Sequence, residues 1–324
     1  MIDFDLLQSS LEGRLSRLEV NDEPGFYSCL SRSGVDLQAF ENNFPYILQA
    51  ARNNPHKYEK GGSVVYLGTK TGEGPDAAPH QPIVIPNAIG REHEGLVEEI
   101  ARAAGRQGIS TILKNVDRQK VDRWASRGFR ETSVPWSRYS FRDDNSYPQY
   151  ILDVHSFILL KPDPRARQTY RSIRKIKREM PISIEPYSKR FVDDALRLLD
   201  EYASFSQEKG KDFAFEIDQA HRFMFEEEVE SKIRLVHLLD GSLVGMTYFS
   251  RSDDTIYWNG CLNKNISNIM RLLLWQGASH VIEHHGSRAR WLALQGSESK
   301  GQDRWKRSFG PARKIEKTHM IFSR

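Results

Sequence analysis

Two α/β domains in tandem, each a mixed twisted sheet flanked by helices, is the architecture the sequence predicts, and three observations predict it. A chain of 324 residues is long for one core and natural for two domains of roughly 150 residues each. Short β-rich runs alternate with amphipathic helical patterns through both halves, as α/β folds require. Hydrophobic residues make up 39% of the chain and charged ones 28%, which argues against wholesale disorder.

The first sixty residues mix helical patterns, carried by Leu6, Leu7, Leu11, Leu15 and Leu18, with turn signals at Asn21-Asp22-Glu23-Pro24-Gly25, and offer no chemistry. Ser63-Val64-Val65-Tyr66-Leu67 reads as a strand, the Gly/Pro-rich run from Gly68 to Pro82 as a loop, and Ile83-Val84-Ile85 as a second strand. A helix is expected from Arg91 through Leu96, Ile100 and Ala104 to Gly108, where glycine terminates it. Thr111-Ile112-Leu113 follows as a strand, then a short helix closing on Arg127-Gly128-Phe129, and a further strand at Tyr150-Ile151-Leu152-Asp153-Val154. Lys161-Pro162-Asp163-Pro164 breaks regular structure. It sets the domains at 1–163 and 164–324, with strands open to exchange between the halves.

Residues 165–180 carry the densest charge. On a helix, Arg167, Arg171, Arg174, Lys175 and Arg178 fall on one face, and Tyr170, Ile173, Ile176 and Met180 on the other. Such an array suits a phosphate backbone, where each cation displaces a condensed counterion. The competing reading is a solvated face that packs by its apolar stripe. Helices over 191–202 and around Ala220 to Val229 lead to a strand over 233–238. Asp240-Gly241 marks a hairpin into 243–249, and Ser252-Asp253-Asp254 turns the chain again into 255–260. A helix from Ser267 to Ile282 precedes a strand at Trp291.

That last strand, Trp291-Leu292-Ala293-Leu294, runs into a small polar turn, Gly296-Ser297-Glu298-Ser299, and then into a short helix bearing Arg304, Trp305, Lys306 and Arg307. Carboxyl ends of strands are where open α/β sheets dock ligands, and turn N–H groups at a helix start suit an anion. The sequence singles out this stretch as its chemical site.

Gly296-Ser297-Glu298 followed by Trp305-Lys306 and Phe309-Gly310 resembles the C-terminal signature of the Fem-type peptidyltransferases and their acyltransferase relatives, which pair two GNAT-like domains in one chain. The element order of the first half is similar to GNAT acyltransferases as well. The resemblance covers about residues 60–324, more strongly in the second half. It implies two tandem GNAT-like domains, the second catalytic, moving an aminoacyl group from aminoacyl-tRNA to an amine or similar nucleophile on a small molecule, peptide or cell-wall precursor. It implies that the basic helix, with Arg167, Arg171, Arg174, Lys175 and Arg178, holds the tRNA acceptor end. It implies that Lys306 stabilises the tetrahedral oxyanion, where one donor is worth roughly 3 kcal/mol.

Glu298 is the candidate general base for the acceptor amine, or a cap on the helix that follows. Trp258, Asn259, Gly296, Ser297, Arg304, Trp305 and Arg307 are the candidate substrate contacts, with Arg304 and Arg307 suited to phosphate or carboxylate and Trp305 to stacking or to the core. GNAT proteins carry a Gln/Arg-x-x-Gly-x-Gly/Ala pyrophosphate loop where this chain has Arg91-Glu92-His93-Glu94-Gly95-Leu96. Glu94 replaces the first glycine, and a carboxylate repels phosphate. The N-terminal domain is therefore expected not to bind coenzyme A.

Other chemistries find little support. Ser297 lacks a Gly-x-Ser-x-Gly elbow, which argues against a serine hydrolase. His280-Val281-Ile282-Glu283-His284 matches a short zinc-protease pattern that also arises by chance, and no metal or redox cofactor is required. Gly241 and Gly245 belong to a hairpin, and no phosphate-binding or dinucleotide-binding glycine motif is present. Cys29 and Cys261 are expected to be reduced thiols. A net charge of +4 is too small to establish a polyanionic partner. With no run of about 18 apolar residues and an acidic start unlike a signal peptide, the expected location is cytoplasmic. Two alternatives stay open. One is an acyl-CoA-dependent N-acyltransferase, weakened by the glycine-free turn Asn263-Lys264-Asn265-Ile266. The other is a non-catalytic RNA-binding or scaffold protein.

Overall fold

The structure, a computed structural model, describes residues 2–33, 38–50, 53–69, 82–132, 148–208, 229–266, 268–285, 288–296 and 300–323. The chain divides into two units, the first formed by 1–148 with 315–324 and the second by 149–314. Each is built on a seven-stranded mixed sheet, so the expected pair of α/β domains is present.

In unit 1, β1 (Arg14–Arg17), β2 (Asn53–Lys60), β3 (Ser63–Thr69) and β4 (Ile83–Ile89) form an antiparallel meander. β5 (Thr111–Asp117) joins β4 in parallel. Beyond it come β14 (Lys317–Phe322) and β6 (Arg130–Thr132), both antiparallel to their neighbours, so the order is β1-β2-β3-β4-β5-β14-β6. Three helices, α1 (Phe4–Gln8), α2 (Glu23–Arg32) and α3 (Phe44–Ala50), precede β2. α4 (His93–Arg106) crosses from β4 to β5 and buries Leu96, Val97, Ile100, Ala101 and Ala104 against Val65, Leu67, Ile83, Ile85 and Leu113. That stripe at i, i+1, i+4, i+5 and i+8 is what the sequence needs to seat a helix on a sheet. α5 (Val121–Ala125) is a single turn that buries Trp124 edge-to-face on Phe129.

Two expectations for the N-terminal segment fail. The helical pattern carried by Leu6, Leu7, Leu11, Leu15 and Leu18 holds only at its start: Leu6 and Leu7 lie in α1, which stops at Gln8, and Leu15 lies in β1. Gly13 explains the stop, because a side chain there would meet the Tyr58 ring at 2.8 Å. The Gln8 side chain then bonds Gly13 O and the Leu15 N–H, fastening the chain as strand. Likewise, 21–25 is a helix start rather than a turn, with Pro24 in the first turn of α2, where its missing N–H costs nothing. The expected loop over 68–82 lies mostly outside the described residues, as does the helix expected around Ala220.

Unit 2 repeats the plan. β8 (Ser183–Pro186), β9 (Lys232–Leu239), β10 (Ser242–Arg251) and β11 (Thr255–Asn263) form the meander, with Asp240 and Gly241 both at positive φ in the expected hairpin turn. β12 (Trp291–Leu294) joins β11 in parallel, and β7 (Gln149–Asp153) and β13 (Arg313–Ile315) close the order β13-β7-β12-β11-β10-β9-β8. α6 (Val154–Ile158), α7 (Arg167–Glu179), α8 (Val192–Glu208), α9 (Ile269–His284) and α10 (Lys300–Arg307) flank it. α7 and α9 bury Tyr170, Ile173, Leu272, Leu273 and Ala278 in one core with Phe249, Ile256, Leu292 and Phe309. α8 buries Ala195, Leu198 and Leu199 against Val236 and Met246 in another. At about 1.5–3 kcal/mol per fully buried large apolar side chain, these two cores hold the sheet in place.

In each sheet, then, the strand between the parallel pair and the edge is contributed from a distant part of the sequence: β14 in unit 1, β7 in unit 2. This moves the junction. The Pro-containing segment at 161–164, expected to separate the domains, connects α6 to α7 inside unit 2, and the chain passes between units at 148/149. Asp163 there is held by Arg165 and packs beneath Gly310. Cys29 and Cys261 are free thiols, and burial pushes the Cys261 thiol up to about 12, which keeps it protonated. No helix among the described residues is long and apolar enough to cross a membrane.

Candidate functional site at the strand ends of unit 2

β11 and β12 pair for only four residues, Thr255 to Trp258 with Trp291 to Leu294. Beyond that point β11 stays with β10, while the chain after β12 turns away toward α10. The two central strands therefore open into a fork at their carboxyl ends, and the stretch singled out from the sequence furnishes it.

The fork is filled by polar ties. Gln295 Nε2 donates to Asn259 O at 2.8 Å, and Asn259 Nδ2 donates to Ser250 Oγ at 2.9 Å. Lys306, only 5% exposed, reaches back from α10, and its ammonium donates to Gln295 O at 2.8 Å and to Gly296 O. Lysine was expected to face a developing oxyanion; its ammonium is turned to two backbone carbonyls, so it fixes the turn at the end of β12. A buried ammonium without such partners would carry a heavy desolvation penalty.

The helix is anchored on both sides. Asp303, 4% exposed, accepts from Tyr150 Oη at 2.6 Å and pairs with Arg307 at 3.0 Å. Trp305 lies between Trp258, 5.3 Å away by ring centroids, and Phe309, at 4.9 Å and nearly perpendicular. Trp305 is thus a half-buried platform as well as part of the core. Trp258 is 8% exposed, and its Nε1–H is buried with no hydrogen-bond partner. A buried N–H without an acceptor costs roughly 1–3 kcal/mol. Arg304 and Arg307 project outward on the exposed side of α10. Ser297 and Glu298 lie outside the described residues.

The basic helix meets this site. Thr169 Oγ1 donates to Ser308 Oγ at 3.0 Å, Tyr170 Oη to Phe309 O at 3.3 Å, and Arg165 to Pro311 O at 3.1 Å. Gly310, at φ +66°, sits against Asp163 and Ala166, where any Cβ would clash. These bonds stitch the first turn of α7 to the end of α10. Along α7, Arg167, Arg171, Arg174, Lys175 and Arg178 are all exposed, as the helical spacing predicts. Two of them also have local work. Arg174 donates to Leu160 O at 2.6 Å, and Lys175 stands 3.8 Å from Glu179.

Reasoning from sequence missed Tyr150, Asp303 and Gln295. A signal for Asp303 exists: Asp122-Arg123-Trp124 in α5 and Asp303-Arg304-Trp305 in α10 are the same tripeptide at the same place in each unit. The first turn of α4, the crossover helix of unit 1, carries Glu94, 5% exposed, with Arg123 Nε at 2.7 Å and Arg127 at 3.5 Å from one carboxylate oxygen. These are ionic approaches without hydrogen-bond alignment. An internal carboxylate thus occupies the first turn of α4. Among the described residues no three histidine, cysteine or acidic side chains converge on a metal position. His280 and His284 stack instead, with centroids 4.1 Å apart.

Among solved structures, the chain is similar to a conserved protein of unknown function from Bacteroides thetaiotaomicron, with a TM-score of 0.73 at 11% identity, covering 96% of this chain and 100% of that one. It is similar to FemX, with a TM-score of 0.61 at 10% identity, covering 96% and 97%. A tandem GNAT protein from the clavulanic acid biosynthesis pathway gives a TM-score of 0.53 at 12% identity, covering 96% and 98%. The likeness is one of fold. Two tandem GNAT-like domains, the fold of Fem and GNAT acyltransferases, are what this chain adopts. No family model matches the sequence, and no curated protein matches it.

Proposed function

We propose that the protein is an aminoacyltransferase that moves an aminoacyl group from aminoacyl-tRNA to an amine. The observation that carries this reading is the seam between α7 and α10: the exposed cationic helix is bonded directly to the helix that supplies Lys306. A polyanion lying along Arg167, Arg171 and Arg178 would bring its end to the fork of unit 2. In the reaction the acceptor nitrogen attacks the ester carbonyl, the N–C bond forms, the ester C–O bond breaks, and the proton lost by the amine ends on the departing ribose oxygen, which leaves as a hydroxyl. Lys306 acts here as a positioning residue: its ammonium, held on the Gln295 and Gly296 carbonyls, fixes the turn that would face the ester carbonyl. Glu298 is the proposed base, and Trp258, Asn259 and Trp305 frame the aminoacyl group, with the orphan indole N–H of Trp258 available to an acceptor atom.

Arg271 favours a second reading. It stands in the first turn of α9 with Nη1 on Asn268 Oδ1 at 2.8 Å, while its Nε–H is buried without an acceptor. A phosphate could satisfy it, and an acyl-CoA donor would bring one. The test is transfer of a labelled amino acid from a pool of aminoacyl-tRNA to a panel of amines, with wild type and Lys306→Ala. Product with the wild type and a roughly hundredfold slower rate in the variant support the proposal. Transfer from acyl-CoA alone would replace the donor.

A further inference from the structure

The elbow between α6 and α7 holds a leucine that the core does not take. α6 closes with the Leu160 N–H on Phe157 O and the Lys161 N–H on Ser156 O, both at 3.0 Å, and Leu160 stands at φ +48°, where a helix end usually has glycine. Leu160 itself is buried. Leu159 beside it is 65% exposed, the most exposed large apolar side chain among the described residues.

Cations surround that leucine. Arg174 Nη2 donates to Leu160 O at 2.6 Å, and Lys161 follows directly in the chain. The partly buried Trp275 indole donates to Ile158 O at 2.9 Å, and the Lys177 ammonium lies over that ring, 4.4 Å from its centroid. The acids of this stretch are engaged elsewhere: Asp153 caps the start of α6, Asp163 pairs with Arg165 at 2.9 Å, and Glu179 stands 3.8 Å from Lys175. Lys161, Arg174 and Lys177 are all exposed and have no acidic partner among the described residues.

RNA phosphates would take these cations but leave Leu159 in water. An anionic bilayer satisfies both, with the leucine in its acyl boundary and the cations among its headgroups, and an indole with a lysine along it suits the level between the two. Each cation near an anionic surface is worth roughly fivefold in binding. We infer that the α6–α7 elbow docks the protein on a membrane surface bearing anionic lipids, with Leu159 inserted and Lys161, Arg174 and Lys177 at the headgroups. Leu159, Lys161 and Lys177 take no part in the proposed transfer, so the docking is independent of it.

Flotation of the full chain with vesicles of phosphatidylcholine, alone or mixed with phosphatidylglycerol, tests this. The mixed vesicles should bind at least tenfold more tightly than the neutral ones. Leu159→Ser should weaken binding to mixed vesicles at least threefold and leave binding to heparin, a soluble polyanion, unchanged, because it keeps every cation. Lys161→Glu combined with Lys177→Glu, also at exposed sites, should weaken vesicle binding at least tenfold. The proposal is overturned if the wild type does not bind mixed vesicles, if neutral vesicles bind as tightly, if Leu159→Ser keeps full vesicle affinity or weakens heparin equally, or if the doubly reversed variant binds as the wild type does.

Discussion

The two forks share a fold and differ in what fills them. In unit 1 the strand ends part around a cavity, the following helix presents an exposed Ala125, and the crossover helix start is occupied by Glu94 with two arginines. In unit 2 the same position on the helix is a buried Lys306, the gap is closed by Gln295 and Asn259, and Asp303 is sealed under Tyr150. Both helices end on an edge-to-face Trp–Phe pair, Trp124 with Phe129 and Trp305 with Phe309, beside a glycine at positive φ. One scaffold therefore carries a cavity at one pair of strand ends and a rigid, cation-held turn at the other. The proposed chemistry is assigned to unit 2 because its strand-end turn is the one fixed by a buried cation.

The largest way to break the comparison is to remove the strand that unit 1 takes from far along the sequence. Deleting residues 315–324 strips β14 from between β5 and β6 and with it buried Thr318 and Met320. Unit 1 should lose its protection in hydrogen exchange; retained protection in α4 and β3 would show that the strand is dispensable. Next in size is Gly310→Val, which forces a side chain into Asp163 at positive φ. It should cost on the order of 3 kcal/mol in urea unfolding and loosen the seam between α7 and α10.

Lys306→Ala should cost about 2–4 kcal/mol, since it leaves the Gln295 and Gly296 carbonyls without their donor. Ala125→Lys, the reciprocal change at an exposed site, should stay within about 0.5 kcal/mol. Equal effects from the two would erase the distinction drawn here.

A pH experiment sharpens it further. His237 lies buried under α9 with Nε2 2.9 Å from Thr247 Oγ1 and Nδ1 3.3 Å from Gln276 Oε1, and burial pushes its imidazole down to about 3. Unfolded histidine titrates near 6.5, so the stability from neutral His237 is complete above that pH and is lost as pH falls toward 3. Between pH 6.5 and 5 the wild type should lose about 1.7 kcal/mol more than His237→Gln. Parallel slopes would assign the acid sensitivity elsewhere.

Much of this was legible in the sequence because it is local. The α7 face, the Asp240-Gly241 hairpin and the strand-to-helix step at Trp291 each depend on spacing within a dozen residues. What escaped depends on partners far apart. Tyr150 meets Asp303 across 153 positions, and the junction at 161–164 misleads because prolines mark a bend whether or not a domain ends there. The leucines of 6–18 keep a helical period, but Gly13 must lie flat under Tyr58, and tertiary packing overrides the pattern.

The central claim is that unit 2 receives aminoacyl-tRNA along α7, and its most direct test is a titration with aminoacyl-tRNA, uncharged tRNA and acetyl-CoA across a salt series. The wild type should bind tRNA at submicromolar affinity, and Lys175→Glu with Arg178→Glu should weaken it more than tenfold and reduce the salt slope by about 2. Tight acetyl-CoA binding with no tRNA affinity, or tRNA binding indifferent to the reversed charges, would contradict it.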